Sequence, residues 1–210
     1  MAKSKSKPKS KPKPKLVIAG VHGDERTAPH VLKKKTLKNT ILIPIVNDSG
    51  FKNRTRSDSK GRDYNRLFGK GVYLNSKTRK IEKLIKDRKV SLVVDFHASI
   101  NYHSKKNCKT KFGVCLGNTL VPAPYKSNKK LTRLVNKILG NLNKLKGLNG
   151  YKKYKCVKSN VSRKKRGTLK SFSRKHNVPY LLIEVAKLQP RPEKVKQIKE
   201  MIKVIDCKDF

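Results

Sequence analysis

The chain has 210 residues, of which 55 are Lys or Arg and 13 are Asp or Glu, so its formal net charge is +42 at pH 7. This length suits one domain with its own core, and a hydrophobic content of 35% excludes a wholly disordered chain. No apolar run approaches the roughly 20 residues of a membrane span, and the charged N-terminus lacks the apolar stretch of a signal peptide. We therefore expect a cytoplasmic protein.

Lys alternates with Ser and Pro over residues 1–15, a composition that cannot bury a core. We predict a disordered basic tail there and one domain over residues 16–210. Apolar runs and helical periodicity then alternate along the chain. The predicted strands are 16–19, 41–46, 90–96, 112–116, 154–157 and 178–185, and the predicted helices are 24–32, 78–89, 129–146, 168–176 and 192–205. This alternation predicts a single α/β domain around a mostly parallel or mixed sheet.

Residues 47–76 are polar and aperiodic, so we predict a long loop of a length usually found at functional sites. Four cysteines are present, and none forms a C-x-x-C pair; they are Cys108, Cys115, Cys156 and Cys207. In a cytosolic chain we expect free thiols rather than disulfides, and the spacing does not fit a structural zinc site.

The excess of basic residues allows two interpretations. It is either a solvated lysine coat, or a surface that contacts a polyanion such as nucleic acid, an acidic membrane or an acidic peptide. The sequence contains no helix-turn-helix, zinc-finger or RNP pattern that would favour one partner. The sequence alone does not decide between these two interpretations.

Carboxylates are scarce in this chain, and their positions are therefore informative. Between Asp95 and Glu184 lie 88 residues with 22 Lys or Arg and no Asp or Glu. Several acids fall beside a His, an Asn-Arg pair or a predicted strand, namely Asp24, Glu25, Asp63, Asp95 and Glu184. Such clustering is typical of a catalytic site.

Three polar segments follow or interrupt predicted strands. His22 and Glu25 follow the first strand, His97 ends the strongest one, and Glu184 lies within the last. In an α/β sheet the ligand crevice lies at the carboxyl ends of the strands, so these segments are expected to converge. Two His and one Glu with an open fourth position would form a catalytic zinc site. A single H-x-x-E is weak evidence by itself, because a His at a strand end is usually only a satisfied polar group.

Four motifs, in the same order, resemble the zinc carboxypeptidase family, which includes pancreatic-type carboxypeptidases, murein peptide amidases and the succinylglutamate desuccinylase/aspartoacylase branch. Residues 20–25, GVHGDE, resemble the family's first metal motif, and residues 95–97, DFH, resemble its D-x-H motif. Residues 56–68 resemble the R-x-N-x-x-G-x-D-x-N-R-x-F loop. Residues 167–169, which lead to Glu184, resemble the segment before the catalytic Glu.

The resemblance implies a three-layer α/β/α sandwich around a mixed, mostly parallel sheet, in a short version. It also implies one zinc ion held by His22, Glu25 and His97, with Glu184 as general base and then general acid. Arg56 would polarise the scissile carbonyl.

By the same resemblance, Asn65 and Arg66 would hold a substrate carboxylate. Asp95, two residues before His97, is expected either to orient that histidine through a hydrogen bond or to cap the strand end. The chain departs from the family in having Asp58 where Asn is usual. It also lacks the family's Tyr before residue 167, for which the candidate substitutes are Tyr151, Tyr154 and Tyr180.

The expected function is a zinc-dependent hydrolase that cleaves an amide bond next to a free carboxylate, first of all a carboxypeptidase or peptide amidase. One alternative is an N-acyl-amino-acid deacylase of the desuccinylase/aspartoacylase type. Another is a polyanion-binding protein on an inactive hydrolase scaffold. The basic run at residues 163–166, which the resemblance places near the rim of the site, predicts a preference for acidic substrates.

Overall fold

A computed structural model of the chain describes residues 11–99, 117–124, 128–145, 155–156 and 167–207. Several sequence predictions fall outside these ranges, namely the strand at 112–116, the substitute tyrosines Tyr151 and Tyr154, the basic run at 163–166, and the thiols of Cys108 and Cys115. Cys207 is a free and exposed thiol.

One six-stranded mixed sheet forms the centre of the fold, with strand order β2-β1-β3-β6-β4-β5. Its strands are β1 (Lys15–Ala19), β2 (Thr40–Ile43), β3 (Leu92–Ser99), β4 (Thr119–Ala123), β5 (Lys155–Cys156) and β6 (Tyr180–Ala186). β2, β1, β3 and β6 are parallel, whereas β4 runs antiparallel to β6 and parallel to β5. The four parallel strands therefore end together at what we call the carboxyl edge and begin together at the amino edge.

Helices cover both faces of the sheet. They are α1 (Thr27–Leu32), α2 (Asp48–Asn53), α3 (Ser76–Lys86), α4 (Lys129–Asn143), α5 (Leu169–Lys175) and α6 (Arg191–Asp206). Val17 and Ala19 of β1 join the apolar core formed with α1, α4 and α6. Leu16 and Ile18 point to the opposite core, formed with α3 and α5. Because alternate residues of one strand enter two separate cores, the fold is the expected three-layer sandwich.

Two of the predicted elements need correction. The strand predicted at 41–46 ends at Ile43, before Pro44, although its position at an edge of the sheet is as expected. The loop predicted at 47–76 contains α2, whose N-cap Asn47 accepts a hydrogen bond from the Gly50 N–H at 2.9 Å, and a single 3-10 turn at Tyr64–Arg66. Short capped turns of this kind carry too little apolar periodicity to be recognised in a polar stretch.

Strand β4 was not predicted, because Pro122 and Pro124 interrupt its sequence. The short β5 pairs only with Thr119 and Leu120, so it does not extend to Pro122. On the other side β4 pairs with β6 over its full length. A proline that lacks an N–H is tolerated where one side of a strand has no partner.

The described helices include none that is both long enough and apolar enough to cross a lipid bilayer.

A close backbone contact joins the turn after β1 to α2. A Cβ atom added at Gly23 would lie 1.9 Å from the carbonyl carbon of Gly50. The backbone N–H of Gly23 also donates to the carbonyl oxygen of Arg56, at 3.4 Å. The turn that carries His22 and Glu25 is therefore held against α2 and the following loop, and only glycine fits at position 23.

We predict that Gly23→Ala lowers the free energy of unfolding by about 1–3 kcal/mol, the usual cost of overpacking. The control is Gly140→Ala in α4, where an added Cβ has no atom within 4 Å. That change should raise the free energy of unfolding by about 0.5–1 kcal/mol, because alanine loses less backbone freedom than glycine when the helix forms. Urea denaturation of both variants measures the difference. Equal stability of Gly23→Ala and the wild type would contradict the close contact.

Candidate metal centre

Two histidines and one glutamate meet at the carboxyl edge. His22 and Glu25 lie in the turn between β1 and α1, and His97 lies on β3, which pairs directly with β1. The Nδ1 atom of His22 is 2.8 Å from Oε1 of Glu25 and 3.2 Å from Nδ1 of His97. Nδ1 of His97 is also 3.0 Å from Oε2 of Glu25. The structure thus brings together the three residues predicted from the sequence as metal ligands.

The donor set of this cluster fits a divalent metal ion. One ligand atom from each of His22, Glu25 and His97 lies within 4.8 Å of the others, and all three residues are buried. Oε2 of Glu25 is buried and has no well-formed hydrogen bond among the described residues, although Nδ1 of His97 is close to it. Two imidazoles and one carboxylate are the ligands of a catalytic zinc site that keeps a fourth position open. The cluster could therefore hold a metal ion.

The far side of His97 is held by a buried hydrogen-bond chain. Nε2 of His97 lies 3.1 Å from Oδ2 of Asp95, and the hydroxyl of Tyr180 donates to the same oxygen at 2.7 Å. Asp95 and Tyr180 are almost completely buried. A carboxylate at Nε2 keeps the proton on that nitrogen and leaves Nδ1 free as a ligand. Tyr180 is thus part of the support for His97 and does not reach a substrate position.

The far side of His22 meets a residue to which no role was assigned from the sequence. Oδ1 of Asp63 lies 3.3 Å from Nε2 of His22. Asp63 also accepts hydrogen bonds from Arg56, at 3.2 Å from Nε and 3.1 Å from Nη2. The sequence signals for Asp63 were its place in the motif loop and its position beside an Asn-Arg pair. The loop therefore contributes to the orientation of one histidine as well as to the rim of the site.

Burial and charge act against each other within the cluster. Burial alone would raise the pKa of Glu25, but the neighbouring His97 and His22 lower that pKa to about 2. Burial alone would lower the pKa of His97, whereas Asp95 and Glu25 raise it well above its usual value. The buried carboxylates thus need positive charge beside them, and a divalent cation could supply it in place of imidazole protons.

Glu184 faces the cluster from the neighbouring strand. It is in register with His97 on the parallel pair β3 and β6, so both side chains point to the same face of the sheet. The pKa of Glu184 is raised to about 7, mainly by burial. The charges of Glu25 and Asp95 raise this pKa further, and His97 opposes the rise. A carboxyl group with a pKa near 7 can both accept and donate a proton at neutral pH.

The predicted substrate-binding residues lie on the loop that docks against residues 167–169. Oδ1 of Asn65 accepts a hydrogen bond from the Leu169 N–H at 3.2 Å, and a Cβ added at Gly167 would lie 2.1 Å from the carbonyl oxygen of Arg66. Gly167 itself has a φ of +88°, which favours glycine. The side chains of Arg56 and Arg66 are exposed. The third and fourth sequence motifs thus form one surface beside the cluster.

The unusual Asp58 stabilises the same loop. Its Oδ1 accepts the backbone N–H groups of Lys60 and Arg62 at 3.0 and 2.9 Å, and its Oδ2 accepts Nε of Arg62 at 2.8 Å. Burial alone would raise the pKa of Asp58, but these hydrogen bonds lower it. Aspartate at this position is therefore compatible with a well-ordered loop.

A cavity of about 250 Å³ borders Glu25 and His97 between the start of α1, the ends of β3 and β6, and α6. Lys187 and Lys194 are among its lining residues, and Nζ of Lys187 is 2.5 Å from Oδ2 of Asp24. This space could hold a few water molecules or a small ligand group next to the cluster.

Comparison with known proteins adds a family match and a fold match. Residues 12–109 match the model of the succinylglutamate desuccinylase/aspartoacylase catalytic domain. No curated protein sequence matches the chain. The family match covers β1, β2 and β3 and therefore includes His22, Glu25 and His97.

Solved structures share the fold over nearly the whole chain. The apo cell shape determinant protein Csd4 from Helicobacter pylori superposes with a TM-score of 0.72 at 18% identity, covering 92% of this chain and 50% of that one. Another Csd4 structure names that protein a D,L-carboxypeptidase. Murein-tripeptide amidase MpaA from Escherichia coli O157 gives a TM-score of 0.63 at 19% identity, covering 96% of this chain and 84% of that one. The chain spans about half the length of Csd4.

The family match lies in the first half of the chain, and the fold match extends to the second half, which carries Glu184. Together they confirm the similarity of this chain to the zinc carboxypeptidase-like family with its succinylglutamate desuccinylase/aspartoacylase branch.

Proposed function

We propose that this protein is a zinc-dependent hydrolase that cleaves an amide bond next to a free carboxylate. The single observation that carries this proposal is the convergence of His22, Glu25 and His97 with Glu184 at the carboxyl edge. Three protein ligands leave room for water and substrate, and Glu184 lies on the strand beside one of them. A buried polar cluster of this kind has no evident role in stabilising the sheet, since its burial is costly without a cation.

The roles proposed for the residues are those that the family resemblance implies, and the positions of the residues are compatible with them. When bound to His22, Glu25 and His97, zinc supplies Lewis-acid activation of water. The Glu184 carboxylate accepts the proton of the attacking water and passes it to the leaving nitrogen. The Arg56 guanidinium stabilises the negative charge that develops on the scissile carbonyl oxygen.

The substrate carboxylate is assigned to Asn65 and Arg66. Both lie on the loop that carries Arg56, and a guanidinium can bind a carboxylate through two parallel hydrogen bonds. The spacing of the loop from Arg56 to Arg66 favours a carboxypeptidase or peptide amidase. The family match favours the alternative, an N-acyl-amino-acid deacylase, which would use the same metal centre.

A polyanion-binding protein on an inactive scaffold is the remaining alternative. The complete set of His22, Glu25, His97 and Glu184 argues against it, because an inactive site has no need for Glu184 in so acid-poor a chain.

We predict that the purified wild-type protein binds one zinc ion per chain and that His97→Ala abolishes tight binding, because one of three ligands is removed. His30→Ala is the matched control, since His30 lies on α1 outside the cluster. Elemental analysis after dialysis against a weak chelator measures the occupancy. Full zinc occupancy in His97→Ala would exclude this ligand set.

We predict that Glu184→Gln keeps its zinc and loses 10²–10⁴-fold in kcat, the usual contribution of a general base. Glutamine has the same shape but cannot accept the proton of water. Activity within about tenfold of the wild type would show that Glu184 is not the base.

The assay uses two substrate series, peptides with a free C-terminal carboxylate and N-acyl amino acids. Release of C-terminal amino acids by the wild type but not by Glu184→Gln supports the peptidase. Cleavage of the N-acyl amino acids alone supports the deacylase. Acidic and basic members of each series, compared at low and high salt, test the expected preference for acidic substrates.

We predict that Tyr180→Phe weakens zinc affinity by about tenfold, because loss of the hydroxyl lets Asp95 and hence His97 move. Tyr64→Phe is the control, since Tyr64 is also buried and its hydroxyl interacts with Asn75 instead. Competition with a chromophoric chelator measures the affinity, and thermal melting of the metal-free proteins measures stability. If Tyr180→Phe lowers the melting temperature but leaves zinc affinity unchanged, the Tyr180 hydroxyl stabilises the core and does not position His97.

A further inference from the structure

The amino edge of the sheet carries a dense set of basic residues. Helices α1, α3 and α5 each lead back to the start of a parallel strand, so their C-terminal ends lie at this edge. The end of α6 also reaches it, since the Lys38 N–H donates to Oδ1 of Asp206 at 2.6 Å. Helix α4 begins there, because β4 runs antiparallel to β6.

We call the exposed cations of this edge the basic pole. They are Lys11, Lys13, Lys34, Lys35, Lys38, Lys86, Arg88, Lys89, Lys129, Lys130, Arg174, Lys175 and Lys203. The described carboxylates at the same edge are Asp87 and Asp206. The basic pole is therefore strongly positive.

The two edges of the sheet differ in the number of their ion pairs. Four of the Lys or Arg pairs with carboxylates in the described part of the chain lie near the carboxyl edge, namely Arg56–Asp63, Arg62–Asp58, Lys77–Asp48 and Lys187–Asp24. At the basic pole there is one, Lys89–Asp87, and it is long at 3.9 Å. Within the described ranges, the positive charge of the pole is thus largely without carboxylate partners.

The charges of separate helices act together at the pole. Partial burial lowers the pKa of His176, and Lys175, Lys86 and Arg88 lower it further, whereas Glu82 opposes this change. Lys175 ends α5, whereas Lys86 ends α3 and Arg88 follows it. Cations that are distant in sequence therefore contribute to one positive field.

The N-terminal basic segment also joins the fold here. The Ser91 N–H donates to the carbonyl oxygen of Pro14 at 2.9 Å, which fixes the chain beside the start of β3. Lys3, Lys5, Lys7 and Lys9 precede this point in the sequence. The N-terminal lysines therefore directly precede, in the sequence, the first residues of the basic pole.

We propose that the basic pole binds the phosphodiester backbone of a nucleic acid, at the opposite edge of the sheet from the candidate metal centre. Backbone phosphates are bound by arrays of Lys and Arg without a sequence-reading motif, in a manner that depends strongly on salt. A membrane is less well matched, because the exposed large apolar residues that could enter a bilayer lie towards the other edge. In the described part of the chain these are Val72, Tyr73 and Leu188.

The test compares two variants of the full-length protein that each remove four positive charges. The pole variant is Lys34→Gln, Lys35→Gln, Lys86→Gln and Lys175→Gln. The control variant removes exposed lysines outside the pole, as Lys52→Gln, Lys80→Gln, Lys137→Gln and Lys144→Gln. Fluorescence anisotropy of a labelled 20-base-pair DNA duplex measures Kd across a range of salt concentrations, and thermal melting checks that both variants fold.

We expect the wild type to bind the duplex with a steep salt dependence. The pole variant should bind more than tenfold more weakly at low salt, with a salt slope smaller by up to about 0.9 for each phosphate that it no longer neutralises. The control variant should change Kd by about twofold or less.

Equal weakening in the two variants would show that only net charge matters and would overturn the proposal. Absence of duplex binding at low salt would do the same. Pole-dependent binding to vesicles of anionic phospholipid that is tighter than binding to DNA would assign the surface to a membrane instead. Glu184→Gln should bind DNA as tightly as the wild type does, because Glu184 lies outside the pole. The DNA-binding test can therefore succeed or fail independently of the hydrolase assays.

Discussion

The need to compensate buried charge at the end of β1 and β3 explains most of what surrounds the candidate metal centre. Glu25 is buried between two imidazoles, and Asp95 is buried behind one of them. Carboxylates in such a place are stable only beside positive charge and hydrogen-bond donors. The cluster and its outer contacts are consequences of this arrangement, whereas the raised pKa of Glu184 comes first from the burial of that residue.

The outer contacts tie the cluster to three different parts of the fold. Tyr180 reaches Asp95 from β6, and Asp63 reaches His22 from the motif loop. Gly23 holds the turn of His22 against α2. Both candidate histidine ligands are thereby oriented by elements that are fixed elsewhere in the structure, which is the preorganisation that a metal site requires.

Within the described ranges, most carboxylates that pair with Lys or Arg lie near one edge of the sheet, and the other edge carries basic residues that are largely unpaired. The scarce carboxylates gather near the carboxyl edge, where they serve the cluster or pair with Arg and Lys. The amino edge keeps its positive charge almost without partners among the described residues. Such a division would let the proposed hydrolysis and a polyanion contact operate on separate surfaces.

The sequence by itself predicted the class of fold and the residues that meet in the candidate metal centre. Apolar runs such as residues 90–96 favour buried strands, and polar residues that follow parallel strands lie at one edge of the sheet. The motif order then identified His22, Glu25, His97 and Glu184 together. These conclusions rest on local patterns, which are readable without knowledge of distant contacts.

Only the tertiary structure decided which distant residues touch. The hydrogen bond from Tyr180 to Asp95 depends on the register of β3 with β6, and the contact of Asp63 with His22 depends on how the motif loop packs. Strand β4 exists despite its prolines because β6 pairs with it along its full length. The basic pole appeared only when the direction of each helix was known, because cations far apart in sequence meet there through topology and not through any local pattern.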